Sequence, residues 1–317
     1  MTPTIAVTEY DWPDLSIELE VASEYDIELR HLDAPTPADI IERGDDADAL
    51  LVQYAPVPAE VFEALEDLRA VGRTGIGVDN VDLAAASEHG VTVVNVPSYC
   101  EDEVTVHTLA LLFATLRKVT RFDRAIKQDV WDWTIGKPIG RFAGRTWGLV
   151  GFGKIPRRLA RYLSGFDINL VAYDPYVSAD EMGAQGVEKV SYEDLLDRST
   201  FVSIHAPLTP ETEGLVDAAA FERMSEDSIV INTARGGLLD LNALDNAITN
   251  GKIRGAGIDV MPNEPPENFD VLSHDEVVAT PHVAWYSEDS NVELRRTVTQ
   301  DLAGILTGEA PMNPVNE

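Results

Sequence analysis

The chain can form no internal disulfide, because Cys100 is its only cysteine. That cysteine reads as a small packing residue rather than a nucleophile. No apolar run approaches the ~20 residues that span a bilayer, so no transmembrane helix is expected. The stretch MTPTIAVTEYDW carries acids and no basic n-region, so it does not read as a signal peptide, and a cytoplasmic protein is expected. Repeats and low-complexity segments are missing, and no metal site is expected. Base is in short supply. Lys and Arg number 24 against 55 Asp and Glu, only six of the 24 are lysine, and the formal net charge is −31. A surface of that sign repels nucleic acid and anionic membranes. The acids are scattered, as in Asp45-Asp46 and Glu101-Asp102-Glu103, not gathered in a tail. We read them as the hydrated surface of a salt-adapted, halophilic protein.

What is present is an alternation of short β-like runs with helical stretches, over a length that suits two α/β domains. The central stretch is Thr146 to Pro175. The run Trp147-Gly148-Leu149-Val150 reads as a buried strand, Gly151-Phe152-Gly153 as a turn, and the segment with Leu159, Ala160 and Leu163 on one face as a helix. A second apolar run, Asn169 to Tyr173, closes at Asp174. Strand, glycine turn, helix, strand and acid make a dinucleotide-binding unit. Gly151 permits the tight turn, and Gly153 lets the backbone approach a pyrophosphate. The helix N-terminus offers that anion unpaired N–H groups. Asp174 is placed to accept from a ribose diol, which favours NAD over NADP. Arg157 and Arg158 stand near enough in sequence to keep NADP possible. Pro156 occupies the third glycine position. A proline in the first helical turn loses only an N–H that has no partner inside the helix, so the helix is expected to survive.

Upstream, Ile5–Val7, Ile27–Leu29, Ala49–Val52, Ala70–Gly72 and Val91–Val94 predict a small parallel sheet. Its loops hold Tyr54 and the stretch from Arg73 to Asp79. A helix is predicted from Val104 to Lys118, apolar nearly all round between Leu109 and Leu116. Such a helix is buried on several sides, either between domains or against another subunit. A homodimer through the 104–118 helix and the following Trp131 and Trp133 is therefore expected. Downstream, Thr200–Ile204, Ser228–Asn232, Gly255–Asp259 and Val277–Thr280 predict a second, larger parallel sheet. Asp240 is a plausible N-cap for a helix running toward Asn250. A final helix, Ser287 to Leu306, is expected to cross back to the first domain. The fold class is α/β, with two doubly wound parallel sheets, one flavodoxin-like and one Rossmann, and a cleft between them. Residues 1–98 and 287–317 form the first domain and 99–286 the second.

Three polar residues follow predicted strands of the second sheet. A guanidinium such as Arg235 can hold a carboxylate bidentately. A histidine such as His282, near a carboxylate such as Glu264, can hand a proton to a carbonyl oxygen. Taken with a nicotinamide, these groups describe a keto-acid reductase. Tyr54 and Trp285 are expected near the substrate side chain, which favours medium-length or branched 2-keto acids.

At this point the chain resembles a known family, the D-isomer-specific 2-hydroxyacid dehydrogenases. The resemblance runs through Gly75-Ile-Gly-Val-Asp-Asn80, Thr108-Leu-Ala-Leu-Leu, Gly151-Phe-Gly-Lys-Ile155 with Tyr173-Asp174-Pro175, and His205-Ala-Pro-Leu-Thr209 with Thr212. It continues through Asn232-Thr-Ala-Arg-Gly-Gly237, Gly257-Ile-Asp-Val260 with Asn263-Glu-Pro-Pro266, and Thr280-Pro-His282. It implies His282 as general acid/base, Glu264 as its partner and Arg235 as carboxylate binder. It implies that Gly75 and Ile76 offer N–H groups to the substrate carboxylate. Lys154, Ile155, Thr233, Ala234 and Asp259 would join the cofactor site, with Pro207 and Thr212 flanking the adenosine and phosphates. The partner would be a 2-keto acid or D-2-hydroxy acid. Thr105 and Val106 depart from the family's usual Ala-Glu at the opening of the 104–118 helix. Formate dehydrogenases resemble the pattern without the glutamate kept at Glu264. Phosphite dehydrogenase chemistry fits the triad, and phosphoglycerate dehydrogenases often carry a further C-terminal regulatory domain, which this chain's short tail would not hold. A dinucleotide-sensing co-repressor of the same fold is the reading from outside enzymology.

The charge balance yields a first prediction. Self-repulsion among 55 acids opposes folding, and the Debye length falls from about 10 Å at 0.1 M salt to about 3 Å at 1 M. The thermal midpoint should rise steeply between about 0.1 M and about 2 M KCl. A flat midpoint across that range would leave the acidity as a solubility feature only.

Overall fold

The computed structural model describes residues 2–316. They form two compact units, 1–99 with 287–317 and 100–286. The first holds a five-stranded sheet of β1 (Thr4–Val7), β2 (Glu28–His31), β3 (Ala49–Val52), β4 (Ala70–Arg73) and β5 (Thr92–Val94). Its order is β2-β1-β3-β4-β5, and every pair is parallel. The second holds β6 (Arg145–Val150), β7 (Ile168–Tyr173), β8 (Glu188–Lys189), β9 (Phe201–Ile204), β10 (Ile229–Asn232), β11 (Gly255–Ile258) and β12 (Val277–Ala279). Its order is β12-β11-β10-β9-β6-β7-β8, again all parallel. The two-residue edge strand β8 carries no apolar run, which is why the sequence did not announce it.

Parallel sheets are covered by helices on both faces, so their strands are apolar throughout. All four residues of β3, β9, β10 and β11 are buried. In each unit one strand has glycine where a long helix lies flat against it. In β11, a Cβ on Gly257 would stand 2.9 Å from the Cβ of Leu111, and one on Gly255 would stand 3.1 Å from Thr115. Both contacts belong to the Glu101–Arg117 helix. In β4, a Cβ on Gly72 would meet Leu302 and Val298 of the Glu288–Thr307 helix at 2.8 Å. The Glu101–Arg117 helix therefore spends its apolar face on its own sheet: Leu111, Leu112 and Leu116 join Trp147, Leu149 and Ile231 in one core. As expected, the helix is buried on several sides: between Leu109 and Leu116 only Ala110 is exposed, and Val106 and Arg117 are exposed beyond that span. Pro156 sits buried in the first turn of the Lys154–Leu163 helix, which forms intact. Asp240 caps the Leu241–Thr249 helix by accepting from the N–H groups of Asn242 and Ala243. No helix of the described residues is long and apolar enough to cross a membrane.

The Glu288–Thr307 helix is tied into the first unit by charge as well as by packing. Arg295 donates through Nε and Nη2 to the two carboxylate oxygens of Glu18, both at 2.6 Å, and Nη2 also donates to the Asp14 carbonyl. Its guanidinium lies 5.0 Å from the centre of the Trp12 ring. The two side chains are 5 % and 0 % exposed. Removing one member of a buried pair strands the other charge, so Glu18→Gln should cost about 3–5 kcal/mol. Salt should recover little of that loss, because a buried pair is screened far less than a surface one. Denaturant unfolding at low and high KCl measures both; a loss below about 1 kcal/mol would mean that the pair contributes no more than a surface bridge.

Candidate active site

The polar chemistry of the second unit lies along the carboxyl ends of its parallel strands, where open α/β sheets bind ligands. Gly151 follows β6. Its φ is +94°, and a Cβ there would stand 2.9 Å from the backbone carbonyl of His205, which follows the adjacent strand β9. Strand order turns back at this β6/β9 pair, with β7 on the other side of β6. Gly153 is the N-cap of the Lys154–Leu163 helix, makes no side-chain cap, and has open space around the place a Cβ would take. Lys154 and Ile155 are the first two helical residues, so their N–H groups have no partner inside the helix. Open space and spare donors at a helix start fit a pyrophosphate.

Asp174 follows β7. Its Oδ2 accepts from the Phe152 N–H and its Oδ1 from the Tyr176 N–H, each at 2.9 Å. The acid expected to meet a ribose diol therefore also holds the glycine turn, with lone pairs to spare on both oxygens. Arg157 donates to the Phe152 carbonyl at 3.0 Å and reaches Glu181 at 3.5 Å. After β9, the Thr212 hydroxyl donates to the Pro207 carbonyl at 2.6 Å, which closes the 207–212 loop. His205 Nε2 lies 2.8 Å from Ser203 Oγ, which in turn accepts from Trp147 Nε1. Desolvation pushes the His205 imidazole down to about 3, so it is neutral at physiological pH.

The other half of the row carries the acid and base groups. After β10, buried Asn232 clamps the turn through Thr233, Ala234 and Arg235. Its Oδ1 accepts from the Ala234 N–H and its Nδ2 donates to the Arg235 carbonyl. Gly236 then passes so close to the loop after β11 that a Cβ would stand 2.0 Å from the Met261 carbonyl carbon. The Met261 N–H donates to Glu264 Oε1 at 2.8 Å, and Glu264 Oε2 meets His282 Nδ1 at 2.6 Å. So the Arg235, Glu264 and His282 loops are brought together. Burial works against ionisation of Glu264. The hydrogen bonds from His282 and Met261, with the charges of His282 and Arg235, outweigh it and hold the carboxyl below the usual carboxylate range.

His282 adopts a left-handed backbone, φ 51°. Asp259 supports it. The Asp259 carboxylate is buried and accepts from the Thr280 hydroxyl at 2.6 Å and from the N–H groups of Val283 and Ala284 at 3.0 and 2.9 Å. Its backbone carbonyl accepts from the His282 N–H at 2.7 Å. His107 Nε2 touches the Thr280 hydroxyl at 2.9 Å, and the Thr108 and Thr233 hydroxyls pair at 3.0 Å. Asn232, Gly236, Thr280 and His107 are positioning residues that sequence reasoning passed over. The signal was present for Asn232, whose amide two residues before a turn is an Asx pattern. Thr105, one of the unusual helix residues, is buried and donates to the Glu101 carbonyl. Val106 is exposed.

Trp285 lies three residues beyond His282 with its ring edge-on to Tyr286. In the first unit, Tyr54 is exposed after β3, and its hydroxyl donates to Asp11 Oδ2 at 3.0 Å. In the same unit the Gly75 N–H donates to the Arg73 carbonyl at 2.9 Å, and Ile76 follows it. Among the described residues no group of three His, Cys, Asp or Glu could hold a metal ion.

Fold and site together define a two-sheet α/β protein of the dinucleotide-binding class with a histidine–carboxylate dyad. Residues 109–284 match the D-isomer specific 2-hydroxyacid dehydrogenase, NAD binding domain. The chain is 35 % identical to the glyoxylate reductase of Korarchaeum cryptofilum, over all of this chain and 97 % of that one. It is 38 % identical to the D-3-phosphoglycerate dehydrogenase of Mycobacterium tuberculosis over 92 % of its own length. That alignment covers 55 % of the relative, so the chain spans about half the length of the phosphoglycerate dehydrogenases it matches. The apo-structure of D-lactate dehydrogenase from Escherichia coli superposes with a TM-score of 0.85 at 29 % identity, covering 98 % of this chain and 99 % of that one. The chain belongs to the D-isomer-specific 2-hydroxyacid dehydrogenase family.

The Asp259 contacts generate a structural prediction. Asp259→Asn places an amide NH₂ where one oxygen now accepts, so either the Val283 or the Ala284 N–H loses its acceptor and the loop that both hold is loosened. The Val283 and Ala284 amides should then exchange with solvent at least about tenfold faster, the equivalent of about 1.4 kcal/mol. Unchanged protection of those two amides would show that the His282 loop stands without Asp259.

Proposed function

We propose that the chain catalyses reversible reduction of a 2-keto acid to a D-2-hydroxy acid with a nicotinamide cofactor. The observation that carries this reading is the 2.6 Å contact of His282 Nδ1 with Glu264 Oε2. It leaves Nε2 as the ring nitrogen for proton exchange, and the Glu264 carboxylate stabilises the imidazolium. The chemistry that a bound nicotinamide supplies is a hydride for the keto carbon. His282 gives its proton to the ketone oxygen, and in the reverse direction takes the hydroxyl proton back. Arg235 holds the substrate carboxylate, and its guanidinium lies near enough to Glu264 for its charge to act there. Ile76 supplies a backbone donor to the same carboxylate. Gly151, Gly153, Lys154 and Ile155 hold the pyrophosphate, and Asp174 the adenine-side ribose. Pro207 and Thr212 flank the adenosine, while Thr233 and Ala234 lie toward the nicotinamide. Because Arg157 is engaged by Phe152 and Glu181, no free guanidinium beside Asp174 favours a 2′-phosphate, and NAD is the preferred cofactor.

The substrate side chain is uncharged in this reading. Tyr54 comes with two acids: Glu9 accepts from the Ala55 N–H at 2.8 Å and also from the Tyr54 N–H, while Asp11 holds Tyr54 and Gln53. Two carboxylates beside Tyr54 oppose a phosphorylated side chain, which weighs against the phosphoglycerate-type activity of the longer relatives. A second copy is the expected partner. Trp131 and Trp133 are 90 % and 70 % exposed, and Ile126 and Val130 are exposed with them, a large apolar surface for a monomer to leave wet. A reaction that draws on the intracellular nicotinamide pool places the protein in the cytoplasm.

Purified protein should oxidise NADH only when a 2-keto acid is added, and kcat/KM should be higher with NADH than with NADPH. Arg235→Lys keeps the charge but not the planar fork, so KM for the keto acid should rise strongly while cofactor affinity holds. Glu264→Gln should lower kcat for reduction, because the imidazole loses the carboxylate that orients its Nδ1. No turnover with any keto acid, alongside tight NADH binding, would turn the reading toward a dinucleotide-sensing binding protein.

A further inference from the structure

Lysine is the scarcest charged residue of this chain, with six among 317. Two of the six, Lys118 and Lys137, line one cavity of about 340 Å³ in the second unit, with Arg254, Glu226 and Glu276. Lys118 closes the Glu101–Arg117 helix in the left-handed conformation, φ 55°. Asn or Gly serves better at such a cap, so the lysine is not there for backbone reasons. Its side chain is not there for local pairing either. Lys118 is only 6 % exposed, and its ammonium makes no hydrogen bond or ion pair with the described residues.

Of the other charges around the cavity, Arg254, Lys137 and Glu276 have partners, and Glu226 has none among the described residues. Arg254 donates to the Pro138 carbonyl at 3.2 Å and pairs with Asp227. Lys137 lies 4.2 Å from the centre of the Trp133 ring. Glu276 reaches Arg121 at 3.7 Å. Desolvation lowers the Lys118 ammonium from its ordinary range, Glu276 and Asp275 oppose that shift, and Arg121 and Arg254 add to it. An ammonium on a largely buried side chain that opens onto a cavity is satisfied by what enters that volume, either water or an anion. In a chain of net charge −31, the cations here outnumber the carboxylates three to two.

We infer that this cavity is a binding site for a small oxyanion of the phosphate or carboxylate class, with Lys118 as its principal ligand and Lys137 as the second. Glu226 and Glu276 on the same wall disfavour a large or highly charged anion. The site is distinct from the dyad. Lys118 stands eleven residues beyond His107 on one helix, about 16 Å along its axis, and His107 touches the Thr280 hydroxyl beside His282.

The test uses the full chain at constant ionic strength, in about 1 M KCl, so that general screening is fixed. Inorganic phosphate and acetate are titrated separately, and the thermal midpoint and the phosphorus NMR line width are read. In wild type, phosphate should broaden its own line and raise the midpoint by about 2–8 °C at saturation. Acetate reproduces the rise if a carboxylate is the occupant. Lys118→Met should abolish the response, Lys118→Arg should keep it, and Lys137→Met should weaken it. Lys127→Met, at an exposed lysine paired with Asp123, should leave it unchanged. Phosphate also stabilises proteins by exclusion from their surface, so the difference between wild type and Lys118→Met is the decisive quantity. Equal responses in the two, or none in wild type, would overturn the site in favour of water. A dimer dissociation constant that changes with Lys118→Met while phosphate has no effect would overturn it in favour of a carboxylate on a second copy.

Discussion

A carboxylate with no access to water has to be satisfied by donors, and the donors that satisfy Asp259 belong to the loop that carries His282. Three of its contacts come from Thr280, Val283 and Ala284, on both sides of the histidine. The left-handed backbone at His282 is strained for a non-glycine residue, and it persists because these bonds over-determine it. Fixing the backbone fixes the direction from which Nδ1 meets Glu264. The dyad is therefore a consequence of a buried charge at the end of β11, placed between β10 and β12 in the same sheet.

The sheet explains why so many groups arrive in one place. Six neighbouring parallel strands end together, and each releases a residue of the candidate site at the same edge: Asp174, Gly151, His205, Thr233, Asp259 and His282. Interior positions cannot carry them, since both faces are buried under helices. Glycine regulates how near the loops come. At Gly236 the missing Cβ lets the Arg235 turn lie on the Met261 loop, so that a guanidinium and a carboxylate from different strands share one site. In β11, glycine brings the Glu101–Arg117 helix down onto the sheet, and His107 comes with it to Thr280.

The sequence was legible where local pattern and tertiary need coincide. Apolar runs located eleven of the twelve strands within a residue or two, and the Gly151-to-Asp174 interval gave the nucleotide unit because turn, helix and acid follow one another along the chain. What stayed hidden were relations between segments far apart. Nothing in Gly75 announces that its N–H folds back onto Arg73, and nothing in Asp259 announces that its carboxylate faces inward to three donors. The apolar span from Leu109 to Leu116 announced that the Glu101–Arg117 helix is buried on several sides, but not the narrow wet stripe through Val106, Ala110 and Arg117. Lys118 was invisible as a site, since an isolated lysine at a helix end is ordinarily a favourable partner for the helix dipole.

The acid-rich surface bears on how such a site can work at all. A keto acid and a dinucleotide are both anions, and a chain of net charge −31 repels them at long range. In molar salt the screening length shrinks to about 3 Å, so the repulsion disappears beyond direct contact, and so would any long-range attraction. Only interactions made at hydrogen-bond distance retain their strength. On the proposed reading, the groups offered to the anions are of that kind: the open N–H groups at the start of the Lys154–Leu163 helix and the planar fork of Arg235. The same reasoning accounts for the Arg295–Glu18 pair, buried and bidentate, as the charge contact that ties the C-terminal helix to its unit. High salt favours proteins whose charges act by contact geometry, and the polar sites of this chain are built that way.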